Sequence, residues 1–139
     1  MISILIQESE AYDRLTVLEI KLQEAKDNNS PELVQKLLDQ IEDLEREINR
    51  AIGYDFAKQI NYSKECEKLY DTNKNIFYAI DELTRLSKLD LLSDEQMHKL
   101  AELGIAINNR NYERFLAKKA LQEKFFAGKI EEIKIGYEQ

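Results

Sequence analysis

The sequence predicts a mostly α fold: an elongated antiparallel bundle of about four helices, with short N- and C-terminal β-strands that pair, in a single helical domain over residues 1–139. Three observations lead there. Apolar residues recur at steps of three and four through nearly all of the chain's interior. Only 4 Gly and 1 Pro interrupt it, too few for a many-turned β protein or a glycine-rich phosphate loop. At both ends the period changes to two.

At the N-terminus Ile2, Ile4 and Ile6 alternate with Ser3, Leu5 and Gln7. Near the C-terminus Ile130, Ile133 and Ile135 lie in a β-branched segment bounded by Gly128 and Gly136. A lone two-stranded ribbon is marginal in water, so these strands are expected to pair with each other or with copies in another subunit. The first helix is expected to start at Ser9 as N-cap and run to about Asp27, with Leu15, Leu18, Leu22 and Ala25 on one stripe. After a loop over Asp27–Ser30, Ser30 caps a second helix. Pro31 takes its first position, where a missing N–H costs nothing, and Glu32 meets the positive end of the dipole. Val34, Leu37, Ile41, Leu44, Ile48 and Ala51 form a heptad seam that ends near Gly53. The short loop makes these two helices an antiparallel hairpin.

A third helix is expected from about Asp55 to Ser87, with Phe56, Ile60, Leu69, Ile76, Ile80 and Leu83 on its stripe and a kink at Tyr70-Asp71-Thr72. Ser93 with Gln96 three residues on is a capping box that opens a fourth helix. It runs to about Ala127, where Gly128 suits its end, and Gly104 lies inside it. The seam Val34–Ile48 invites self-association, so the chain is expected to form a homo-oligomer, most simply about a two-fold axis.

The net charge is −7, unevenly spread: residues 1–50 carry six Lys/Arg against twelve Asp/Glu, and residues 108–129 carry six against two. An acidic body argues against duplex DNA, which needs many cations on one face. No apolar run reaches the length of a membrane span, which argues against a membrane partner. A single Cys forms no internal disulfide, so the cytoplasm is the expected location. Cys66, without a nearby His or second Cys, reads as a small buried hydrophobe.

Metal chemistry finds little support. Glu95 and His98 have the Glu-x-x-His spacing of di-iron bundles, but those sites need two such motifs and the chain has one His. Glu42 and Glu45 supply half of a Mg²⁺-binding nucleotide pyrophosphohydrolase pattern. The matching pairs Glu10/Asp13 and Glu24/Asp27 precede it instead of following it. No catalytic residue, metal ligand or cofactor is assigned.

The fourth helix carries a more informative row: Leu100, Leu103, Ile107, Asn111, Arg114, Lys118, Leu121 and Phe125. Its ends are apolar and its middle is Asn-Arg-Lys. On the third helix Asn73 interrupts a similar row. Burying such groups without partners costs roughly 2–7 kcal/mol for a neutral polar group. Three readings are open. The seam can rotate to Ile105, Tyr112, Leu116 and Ala120, leaving Arg114 and Lys118 at the surface. The polar groups can form an internal network with Asp13, Glu19 or Asp81. Or they can hold a ligand. An Arg fork beside a Lys suits a phosphate or carboxylate. Asn73, Asn108, Asn109 and Asn111 can read a base edge or sugar hydroxyls, and Tyr78 and Tyr112 can stack on a ring.

The opening segment has Asp13-Arg14-Leu15-Thr16-Val17 followed by Leu18-Glu19-Ile20-Lys21. Further on come Asn73, Ile76-Phe77, Asp81-Glu82 and Arg85, then Asn111, Arg114 and Lys118, then Glu131-Glu132, Lys134 and Tyr137. In this order the chain resembles a small bacterial and phage domain family of unknown function, whose members open with a strand and a helix carrying a Leu-Glu-Ile-Lys block. The resemblance implies the same fold. It also implies that Asp13, Arg14, Glu19, Lys21, Asp81 and Arg85 are network partners of the polar row. It carries no activity.

These readings converge on a non-enzymatic helical homo-oligomer that binds a small anionic, nucleotide-like ligand through Asn73, Tyr78, Asn108, Asn111, Tyr112, Arg114 and Lys118. Were the gene viral, it would act in the host cytoplasm, sequestering a signalling nucleotide. The alternatives are a purely structural assembly or adaptor protein and a metal-dependent nucleotide hydrolase.

Overall fold

Five helices and a two-stranded ribbon make up the computed structural model, which describes residues 2–127 and 132–137. Strand β1 (Ile2–Gln7) runs antiparallel to β2 (Glu132–Tyr137), with Ile2 opposite Tyr137 and Gln7 opposite Glu132. The ribbon lies against α2 (Pro31–Ile52) and touches α1 (Glu8–Asp27). Gly128, Ile130 and Glu131, which figure in the sequence reading, lie outside the described residues.

Helix α1 follows β1 without a loop. Gln7, not Ser9, takes the N-cap position, with extended backbone and no side-chain cap. Ser9 instead sits in the first turn, where its N–H donates to Gln122 Oε1 at 3.0 Å. The strand delivers the chain already extended at Gln7, and another helix satisfies an N–H that a cap would have taken. Helix α1 ends in a Schellman turn: Asn29 has φ +53°, Ser30 N–H donates to Ala25 O and Asn29 N–H to Lys26 O. Asn accepts this left-handed conformation more readily than most residues. Ser30 precedes Pro31, yet its side chain makes no cap bond.

On α2, Leu37, Leu44 and Ile48 are buried, Val34 and Ile41 are half-buried and Ala51 is exposed. Leu44 and Ile48 join the core with Leu15 of α1. Ile41, Leu44 and Ile48 of the seam expected to bind a second copy are therefore packed within the chain.

The third helix of the sequence reading is two. Helix α3 (Tyr54–Asn61) follows Gly53, whose φ of +90° is accessible chiefly to glycine. Helix α4 (Lys64–Ser87) starts at Ser63, whose Oγ accepts from Cys66 N–H at 3.1 Å. The break falls at Tyr62–Ser63 and not at Tyr70–Thr72, where α4 continues and Thr72 Oγ1 donates back to Lys68 O at 2.8 Å. The bundle thus has five helices where about four were expected. Both halves of the Ser93–Gln96 capping box are formed, and α5 (Asp94–Phe126) runs unbroken through Gly104 for roughly 50 Å.

The core lies where α1, α2, α3, the start of α4 and the end of α5 converge. Tyr12, Ile48, Ile60, Leu69 and Leu121 are its largest apolar side chains. Phe56 packs edge-on to Phe125 and tilted on Phe126. Tyr12 donates to Ala57 O at 3.3 Å, and burial pushes its phenol well above the usual range. Away from this junction the packing thins: between Tyr78 and Arg110 only Ala79 and Leu103 are buried. No helix among the described residues is long and apolar enough to cross a membrane.

Candidate functional site

The first turns of α1 present Glu8, Glu10 and Asp13 to α5, which runs the opposite way and meets them with Gln122, Lys118 and Arg114. Three polar rungs result. Gln122 Nε2 donates to Glu8 Oε2 at 2.9 Å. Lys118 Nζ donates to Glu10 Oε2 and lies 3.9 Å from Asp13. Arg114 places its fork on Asp13, Nε donating to Oδ1 at 2.9 Å and an Nη to Oδ2. On α5 the rungs are four residues apart, the spacing that keeps side chains on one face.

Asp13 is fully buried and is the hub. Besides the Arg114 fork, its Oδ1 accepts from Asn73 Nδ2 of α4 at 2.8 Å. Asn73 also donates to Thr16 Oγ1, which itself donates to the Asp13 carbonyl. A carboxylate stripped of water is tolerable only when its lone pairs are met in this way. The bonds from Asp13 hold Arg114 more firmly protonated than usual, against the opposing effect of burial. The polar row predicted from α5 therefore faces inward at Arg114 and Lys118, and three helices are fastened at Asp13.

The structure does not bring the remaining predicted ligand residues to this point. Asn108 and Tyr112 are exposed on other faces of α5; Asn111, three residues before Arg114 and seven before Lys118, lies on their side of the helix but is exposed. Tyr78, also exposed, lines a separate α4–α5 cleft of about 300 Å³ together with Glu82, Lys99, Glu102 and Arg110. Arg110 donates to the Asn75 carbonyl at 3.1 Å. Of the predicted partners, Asp13 is in the network and Arg14 contacts Glu10 at 3.6 Å. Lys21, Asp81 and Arg85 are exposed. Glu19 is half-buried, and burial, then the nearby Glu45, raises its carboxyl above the usual range. Glu8, Glu10 and Gln122 were missed. Gln122 sits four residues beyond Lys118, next to Leu121 of the row, so following the four-residue step as well as the three-residue step from Lys118 would have found it.

The rotated seam of Ile105, Tyr112, Leu116 and Ala120 faces out, and Phe115 beside it is exposed too. Ile105 is 65% exposed, Tyr112 63%, Phe115 57% and Leu116 44%. The Tyr112 and Phe115 rings stack with centroids 6.4 Å apart. From 105 to 119, α5 partly inverts the usual amphipathic order: Arg114 and Lys118 are anchored inside beside Ala117, while Tyr112 and Phe115 point outside.

Chemically the inner network is a clamp. Arg114 and Lys118 are both paired with carboxylates, and Asp13 accepts at both oxygens. Burial, then Glu19, pushes the Cys66 thiol up to about 11, so it stays protonated at neutral pH and is a poor nucleophile. Glu42 and Glu45 are exposed on α2, and among the described residues no group of three or more His, Cys, Asp or Glu is placed to hold a metal ion. No known protein family, characterised protein or solved structure matches this chain.

Proposed function

We propose that the chain is a non-enzymatic assembly module: a helical scaffold that holds α5 rigidly by its inner face and offers its outer face to another protein. The observation that carries this reading is the inverted segment of α5. Folding accounts for Arg114 and Lys118 inside, through Asp13 and Glu10. It does not account for Ile105, Tyr112, Phe115 and Leu116 outside, four large exposed apolar side chains along one side of the helix with Asn108 and Asn109 between the first two; exposed apolar groupings mark interaction sites. The scaffold part rests on Asp13, Asn73, Arg114 and Lys118, which meet in the network and join three helices. The role requires no membrane and fits work in the cytoplasm.

Photo-cross-linking in the native cell tests the role. A photoreactive residue at 105, 112 or 116 should give discrete protein adducts, and one at Lys36 or Asp43 on exposed α2 should not. Equal labelling at all five positions would overturn the role.

Anion binding is the second reading, favoured by the Arg114 and Lys118 side chains remaining 34% and 27% exposed. An anion would have to share these cations with Asp13 and Glu10. Sulfate or a nucleotide should then raise the melting temperature, because a ligand that binds only the folded state stabilises it. Arg114→Met should abolish that rise.

A further inference from the structure

Helices α4 and α5 leave a gap between them beyond Arg110. That residue donates to the Asn75 carbonyl at 3.1 Å, which fixes the antiparallel register. One turn further along, Ala79 of α4 comes level with Ala106 of α5, so small meets small. The cleft of about 300 Å³ opens there, at the lower end of the range of small-molecule sites. Its floor is apolar: Ala79 and Leu103 are buried and Ala106 is half-buried. Tyr78, 53% exposed, forms one wall.

The charges around this floor are sorted by end. Arg110 stands at one end, and its bond to Asn75 leaves most of its fork unengaged among the described residues. Glu82, Glu102 and Lys99 stand at the other, which is net negative by one. Glu102 has His98 Nε2 at 4.0 Å, while Glu82 and Lys99 have no hydrogen bond or ion pair among the described residues. Opposite charges therefore line one cleft without pairing across it. Glu82 lies seven residues beyond Asn75, roughly 10 Å along the axis from the level of Arg110. Helical side chains tilt back toward the N-terminus of their own helix. Because α4 and α5 run in opposite senses, Glu82 and Arg110 tilt toward each other over the floor.

Independently of what covers the outer face of α5, we propose that this cleft binds a small zwitterion, a free amino acid with a large apolar side chain. Its carboxylate lies on the Arg110 fork, the planar donor pair that suits such a group. Its ammonium lies on Glu82, with Glu102 behind. The apolar side chain rests on Ala79, Leu103 and Ala106 beside the Tyr78 ring. A simple anion would leave Glu82 facing it unmet, and a simple cation would leave Arg110 so. A zwitterion meets both ends at once. The bound molecule would also bridge α4 and α5 in the stretch where their packing is thinnest.

Titration of the full chain with L-phenylalanine, followed by backbone amide resonances, tests the proposal. Saturable shifts should centre on residues 78–82 and 99–110, with a Kd on the order of 1 mM. N-acetylphenylalanine, which lacks the ammonium, and phenylalaninamide, which lacks the carboxylate, should each bind at least ~3-fold more weakly. Glu82→Gln should weaken phenylalanine by a similar factor and leave N-acetylphenylalanine unchanged. Ala106→Leu, which fills the floor and keeps every charge, should abolish binding. Melting temperatures show that each variant is folded, and if Ala106→Leu is not, Glu82→Gln decides. The proposal is overturned if phenylalanine gives no saturable shift up to about 10 mM. It is equally overturned if either capped form binds as well as phenylalanine, if the folded variants bind like wild type, or if the shifts centre on Arg114 and Lys118.

Discussion

The two faces of α5 between residues 105 and 119 share a period and differ in nearly everything else. On the inner face Arg114 and Lys118 are bound to carboxylates of α1, with Ala117 and Leu121 packed beside them. On the outer face Ile105, Tyr112, Phe115 and Leu116 are left in water. Apolar residues lie on both sides of α5, so the hydrophobic effect alone does not choose between them. The buried Asp13, with Asn73 and Thr16 around it, decides. Facing the cations outward would strand a carboxylate in the core, at several kcal/mol, while an exposed aromatic costs only the burial it forgoes. Polar specificity thus orients the helix, and the outer apolar row stays exposed.

The largest effect expected from breaking this contrast is at Arg114. Arg114→Met should destabilise the fold by roughly 3–5 kcal/mol in chemical denaturation, because it leaves Asp13 buried without its cation. A loss under about 1 kcal/mol, the scale of an exposed ion pair, would mean that the clamp does not orient α5. Leu121→Ala, at a fully buried apolar position on the same face, should cost about 2–5 kcal/mol. Asn73→Ala removes one donor from Asp13 and one from Thr16 and should cost about 1–3 kcal/mol.

Much of this fold could be read before the structure. The capping box at Ser93, the Pro31 start and the hairpin of α1 and α2 are local, encoded within a few residues. The break at Ser63 also left a trace: Ile60 and Leu69 are nine residues apart, half a turn out of phase on one continuous helix, so the chain must restart between them. The inward row of α5 could not be read locally. Two apolar rows lie on opposite sides of that helix, and periodicity gives both equal standing. What decides between them is Asp13, 101 residues away in sequence. Asn108, Tyr78 and Tyr112 were grouped with Arg114 for chemistry near it in sequence or on a neighbouring helix, but they lie on other faces; Asn111 keeps its place in the row and is exposed all the same.

The smallest expected effect sharpens the electrostatics of the junction. Burial raises the Glu19 carboxyl above its usual range, so its ionised form is penalised in the folded state. That penalty is absent below the unfolded pKa and is complete once the pH exceeds the raised folded value. Glu19→Gln should therefore stabilise the protein slightly at pH 7 and lose the advantage as the pH falls through the carboxylate range, as read from melting temperatures against pH.

The most direct test of the contrast is the unfolding midpoint of wild type, of Arg114→Met and of the variant Tyr112→Ser, Phe115→Ser, Leu116→Ser. If the inner face folds the chain and the outer face is not needed for folding, the triple variant shares the wild-type midpoint within about 0.5 kcal/mol, while Arg114→Met falls well below it. A triple variant as unstable as Arg114→Met would contradict the account.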